Sequence, residues 1–218
     1  MLIGSSTKYG AGFTLAGDTN DFADFRETIQ YFASENGPIP PHHSEFVLGL
    51  AYELRHANQG DRRIEVFGSP DNTARYNAFD SLWPIFLVQL ATLRAAAAYV
   101  PNEKSHQANL YRVESCVQSA LDAVDAKAAR ECMRWLSQFS PLGGDFLIDF
   151  VSYLSQIYVS SETTAKRRIR SLPEILTRIS AYSPEYQAYE KHIKTIAVKQ
   201  NCRPEDLFDH SDSPDFKW

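Results

Sequence analysis

Hydrophobic side chains run almost without a break from Leu82 to Val100, with only Pro84, Gln89, Thr92 and Arg94 interrupting them. Leu and Ala dominate the stretch, and both favour helix because they lose little rotamer freedom there. The pattern predicts a helix over about 81–100, capped by Asp80 or Ser81, with Pro84 in the first turn, where a missing N–H costs little. A helix apolar on nearly every side must be surrounded by other elements. The run is therefore expected to be the buried central helix of a multi-helix bundle.

Upstream, Leu2 and Ile3 precede a glycine-containing turn at Thr7-Lys8-Tyr9-Gly10-Ala11-Gly12, after which Phe13 and Leu15 alternate with Thr14 and Ala16. Two short extended runs around such a turn read as a β-hairpin. Arg63-Ile64-Glu65-Val66-Phe67 alternates in the same way and predicts a third strand near 63–67, with a loop from Gly68 to Asn72. Between them, Phe22, Phe25, Ile29 and Phe32 form one helical stripe behind Asp18 and Asp21. Those carboxylates read as caps rather than a calcium loop, because Phe22 stands where an oxygen ligand is needed. Asn36-Gly37-Pro38-Ile39-Pro40-Pro41 then ends that helix.

A second helix is expected from Ser44 to Gly60, burying Phe46, Val47, Leu50, Ala51, Leu54 and Ala57, although 46–54 is apolar enough to compete as a strand. Beyond Pro101 and Asn102, Leu110, Val113, Val117, Leu121 and Val124 form a stripe. Ala129, Cys132, Met133, Leu136 and Phe139 form another after a turn at Asp125. A turn at Ser140-Pro141-Leu142-Gly143-Gly144 leads to an apolar helix through Phe146, Phe150 and Leu154, and a more polar one restarts at Ser160-Ser161-Glu162. Pro173 marks a new helical start, and Ser183-Pro184-Glu185 caps the helix after it. The expected architecture is mainly α with a small N-terminal β element (α+β): one domain over 1–208, then a flexible tail over 209–218.

Composition adds limits more than identity. An apolar fraction of 44% with 22% charged residues is that of a folded protein, and the net charge of −5 argues against nucleic acid as the main partner. Cys116, Cys132 and Cys202 are too few and too scattered for a disulfide framework or a zinc knuckle. Arg94, Gln89 and Pro84 inside the apolar run argue against a membrane span. The N-terminus lacks a basic-then-apolar leader, so a cytoplasmic setting is expected.

Three groups of side chains could carry chemistry. Tyr52, Glu53, Arg55, His56, Gln59, Asp61 and Arg62 are the richest. Glu53 and His56 one turn apart could form an acid–base pair, with Arg55 or Arg62 stabilising an anion and Asp61 beside them. The competing reading is a structural polar network fixing the helix to the hairpin. His42, Glu45, Glu53 and His56 are the candidate metal ligands, and Glu103 with His106 repeats the Glu-x-x-His pattern. Without a His-Glu-x-x-His or cysteine-based spacing, chance pairing is favoured and neither metal nor cofactor is expected. Lys166, Arg167, Arg168 and Arg170 form the single basic run, a candidate surface for an acidic partner or nucleic acid, or simply a solvated helix face.

Gly12-Phe13-Thr14-Leu15-Ala16-Gly17-Asp18, the segment from Leu48 to Ala57 with Gln59, Gly60 and Arg62, and Leu82-Trp83-Pro84 together resemble a family of small bacterial proteins classed as a domain of unknown function. The resemblance covers about the first hundred residues. It implies a bacterial cytoplasmic setting and brings no activity, substrate or catalytic residue. The function expected from these readings is a non-enzymatic interaction or structural module that self-associates through surplus apolar helix surface or the hairpin edge. The alternatives are a small metal-dependent or acid–base hydrolase at Glu53 and His56, and a binder of acidic partners through 166–170.

Overall fold

In a computed structural model, described over residues 1–34, 37–69, 72–101, 103–139, 143–161, 164–207 and 216–218, the chain is mainly helical with one small sheet. It begins with β1 (Ile3–Ser6) and β2 (Gly12–Gly17), followed by α1 (Thr19–Phe32) and α2 (Pro41–Asn58). A second hairpin, β3 (Arg63–Ser69) and β4 (Asn72–Leu82), leads directly into α3 (Trp83–Ala96). Then come α4 (Lys104–Asp122), α5 (Ala126–Gln138), α6 (Leu147–Ser161), α7 (Ala165–Arg178), α8 (Pro184–Gln200) and a short 3-10 turn (Pro204–Leu207).

Most of the apolar run forms α3, of which no residue is exposed, whereas Ala98 and Tyr99 beyond its end are exposed. The helix packs against α1, α2, α4, α5, α6 and α7 and against β2 and β4. Phe86, Leu87, Leu90 and Leu93 are fully enclosed, and Phe13 of β2 meets Trp83 and Phe86 with ring centroids 5.1 and 4.6 Å apart. The helix is shorter than 81–100, however, and neither Asp80 nor Ser81 caps it. Leu82 is the N-cap, without a side-chain hydrogen bond, because the preceding residues belong to β4. Asp80 instead accepts hydrogen bonds from Thr14 and Arg63 across the sheet.

Strand β4 is the element the pattern did not announce. Where 68–72 reads as a loop, β3 extends to Ser69 and β4 begins at Asn72; the residues at the turn itself, 70–71, lie outside the described set. On its core-facing side β4 carries Thr73, Arg75, Asn77, Phe79 and Ser81, of which Phe79 alone is large and apolar, so no alternation shows. The sheet is antiparallel throughout, in the order β1-β2-β4-β3.

The apolar stripe of α1 and the caps at Asp18 and Ser183 follow the sequence. Asp18 accepts from the amides of Asn20 and Asp21 while the Asp21 carboxylate reaches back to the Asp18 amide, a reciprocal box that closes the start of α1. Asp125 caps α5 and Ser183 caps α8. Pro173 does not start a helix: it lies inside α7, where Ile169, Leu172, Ile175 and Leu176 form an unbroken buried stripe whose packing outweighs the lost hydrogen bond. Asn36, Asn102, the turn residues 140–142, Glu162 and tail residues 208–215 lie outside the described set. Tail residues 216–218 are held: the Trp218 carbonyl accepts from the Tyr9 amide at 3.1 Å, and Phe216 packs on the core.

Candidate functional site

The C-terminal turn of α2 gathers most of the candidate catalytic residues. Gly60, at φ +84°, reverses the chain there, and the Asp61 amide closes the turn on the His56 carbonyl at 2.9 Å. That places Asp61 Oδ2 2.9 Å from His56 Nδ1 and lets Arg62 reach back to Glu53 with two hydrogen bonds. Arg55 lies over the Tyr52 ring at 5.1 Å, and the Tyr52 and His56 rings are 4.2 Å apart.

Glu53 and His56 therefore come together in space but serve different neighbours. Glu53 is taken up by Arg62, whose charge it stabilises through that hydrogen bond, while His56 faces Asp61. Arg55 Nη2 lies 3.4 Å from His56 Nε2, the position an acid–base role would reserve for substrate. The clefts around Arg94 and Tyr111, beside Asp125 and Arg170, and along α8 all lie elsewhere. What the cluster does mechanically is plain: the Arg62–Glu53 ion pair and the His56–Asp61 hydrogen bond tie α2 to the foot of β3.

The candidate metal ligands are spread along α2. His42 and His43 occupy its first turn rather than a loop, with ring centroids 4.2 Å apart; His43 is buried and Glu45 points to solvent. Glu53 and His56 follow two to four turns later, about 15 Å or more from His42 at 1.5 Å per residue. Among the described residues no group of three or more His, Cys, Asp or Glu side chains could hold a metal ion. His106 is buried against α1, with Nδ1 3.1 Å from Thr28 Oγ1 and its ring stacked on Tyr31, while Glu103 is exposed. The Glu103–His106 pair is thus split between solvent and core.

The basic run is split as well. Lys166 and Arg167 are exposed, and Arg170 pairs with Asp125 at 2.7 Å. Arg168 turns inward, donating to the carbonyls of Tyr9 and Val159 at 2.9 Å and of Lys217 at 3.4 Å. Its guanidinium is a clamp inside the protein and is not available to a partner.

The feature that sequence reading did not assemble is the second hairpin. Strand β2 pairs with β4 over Asn77 to Leu82, whereas β3 pairs with β4 over Asn72 to Ala78, so most of β3 hangs beyond the sheet as a two-stranded arm. Ile64 lies opposite Asn77 and Val66 opposite Arg75, on the face that elsewhere carries Phe13, Leu15 and Phe79 into the core. Here nothing described covers it: Ile64 is 46% and Val66 58% exposed. Recognising β4 would have required reading Asn72 to Leu82 by its length and its Tyr76 and Phe79, not by alternation.

Among the described residues no helix is long and apolar enough to cross a membrane. No curated protein and no solved structure matches the chain. One family model matches residues 2–218, essentially the whole chain. The chain belongs to that family, a domain of unknown function, DUF6904.

Proposed function

We propose that this chain is a non-catalytic protein-interaction module that self-associates by pairing the free edge of β3 with the same edge of a second copy. The observation that carries the reading is the arm: seven residues of edge strand whose inward face presents Ile64 and Val66 with nothing described over them. A two-stranded ribbon is marginally stable alone, and an unpaired edge is a template for another strand.

The occupant follows from the charges. Arg63 and Glu65 lie two apart on the opposite face of β3, one basic and one acidic. Antiparallel pairing of two copies about Ile64 would set each Arg63 across from Glu65 of the partner subunit. It would also place Ile64 against its equivalent, keeping the apolar residues of both copies on one face. Such a two-fold contact is closed and self-complementary. Glu53–Arg62 and His56–Asp61 then act as braces that hold the arm at its root.

Solution mass across nanomolar to high-micromolar concentration tests the proposal, using light scattering or sedimentation. The wild-type chain is expected to dimerise. Val66→Lys should be monomeric with unchanged circular dichroism, because Val66 is exposed, and Glu65→Arg should weaken the dimer by setting like charges face to face. A wild-type monomer throughout, or a dimer indifferent to Val66→Lys, overturns it.

A further inference from the structure

The β1–β2 turn, the last turn of α6 and the first turn of α7 meet in a corner tied together by bonds that do not involve residues 216–218. Gly10, at φ +70°, lets α7 approach so closely that a Cβ there would stand 2.8 Å from the Ala165 Cα. Its carbonyl accepts from the Tyr158 hydroxyl at 2.7 Å, and its amide donates to the Thr7 carbonyl at 2.9 Å. Arg168, 3% exposed, joins the carbonyls of Tyr9 and Val159, each at 2.9 Å.

This corner presents two donors to the backbone of residues 216–218. The Tyr9 amide donates to the Trp218 carbonyl at 3.1 Å, and Arg168 Nη1 reaches the Lys217 carbonyl at 3.4 Å. The indole of Trp218 lies on β2 where Gly12 has no side chain: a Cβ there would stand 2.9 Å from the ring and would also collide with the Ser81 carbonyl. Phe216 packs on the core with its ring centroid 4.9 Å from that of Trp218, while Lys217 between them is exposed. Residues 216–218 belong to no helix or strand, and Trp218 remains 42% exposed. They are held as an extended peptide is held, by backbone carbonyls and by alternate side chains in apolar seats.

From this arrangement we propose that the corner formed by Tyr9, Gly12 and Arg168 is a peptide-binding site that the chain fills with its own residues 216–218. The partner it fits is an extended segment of another protein with two aromatic residues flanking a basic one, which enters by displacing them. The seat is built by three other elements, so it stands ready when its occupant leaves, and a preformed seat spares a ligand part of the ordering cost of binding. The occupant is joined to the chain and competes as an intramolecular ligand, at an effective concentration in the millimolar range. Self-association through β3 uses other residues and is independent of this site.

Titration of the isotope-labelled wild-type chain with the synthetic peptide Asp-Phe-Lys-Trp, followed through the indole N–H resonances, tests the proposal. Millimolar peptide should move the Trp218 resonance to its solvent position and leave that of the buried Trp83 in place. Phe216→Gly/Trp218→Gly removes the aromatic anchors of the resident segment. With circular dichroism unchanged, this variant should bind the peptide at least roughly tenfold more tightly than the wild type, because its tethered competitor is gone. Its Tyr9 amide should exchange fast alone and become protected again when peptide is added. Asp-Ala-Lys-Ala, which lacks the aromatic anchors, should do neither. A Trp218 resonance unmoved at millimolar peptide, equal affinities of wild type and variant, equal binding of the alanine peptide, or a variant that cannot fold without its two aromatic rings overturns it.

Discussion

Arg62 holds Glu53 in a fork, Nε to Oε2 at 2.7 Å and Nη2 to Oε1 at 2.9 Å, across the turn that launches the β3–β4 arm. Both side chains are about one-third exposed, so the pair contributes on the order of 1 kcal/mol. Glu53→Ala combined with His56→Ala should lower the melting temperature by a few degrees and speed amide exchange through Arg63 to Phe67. An active-site role predicts the reverse: an unchanged melting temperature together with loss of a turnover or of bound metal.

The enclosure of α3 sets the largest mutational effects. Leu90 is fully buried, and Leu90→Ala should cost about 2–5 kcal/mol in urea unfolding, because the site cannot collapse between so many packed neighbours. Ile64→Ala, an apolar truncation on the exposed arm, should stay within about 0.5 kcal/mol in the monomer. Equal losses at the two positions would refute the central place given to α3.

Much of this architecture is written locally in the chain. The run behind Trp83, the Phe22-Phe25-Ile29-Phe32 stripe and the caps at Asp18 and Ser183 each rest on periodicity or on a side chain meeting its own backbone, and each is visible without a partner. What was hidden depends on distant contacts. Strand β4 is polar along its outer half because that half leaves the core. Pro173 reads as a helix start until the buried residues on both sides are seen to share one stripe. Arg168 looks like its basic neighbours, but its partners Tyr9 and Lys217 are 159 and 49 residues away.

Arg168 should therefore behave as a core residue. Arg168→Leu leaves the carbonyls of Tyr9 and Val159 without this donor in a buried place, at a cost of about 3 kcal/mol or more. Amide exchange at Tyr9, whose N–H donates to Trp218, should rise in step. Arg168→Lys should rescue only part of the stability, since one ammonium cannot span carbonyls from three segments. Wild-type stability in Arg168→Leu would return the residue to the solvent-facing basic surface.

His43 makes stability depend on pH. Its ring is 2% exposed, and neither ring nitrogen has a hydrogen-bond partner among the described residues. Burial, with a smaller contribution from the charge of His42, pushes its pKa down from 6.5 to about 4. The folded state thus holds the imidazole neutral where the unfolded chain would already bind a proton. Between about pH 6.5 and 4 the unfolded state binds more protons, so this contribution to stability is complete above pH 6.5 and is lost as pH falls through that window. Allowing for solvent near the exposed His42, the loss is on the order of 2 kcal/mol. Denaturant unfolding from pH 7.5 to 4 should show that slope in the wild type and a flatter one in His43→Leu, which also removes two unsatisfied polar atoms and should be the more stable protein at pH 5. Parallel pH profiles for the two proteins would show that His43 reaches water in the folded state.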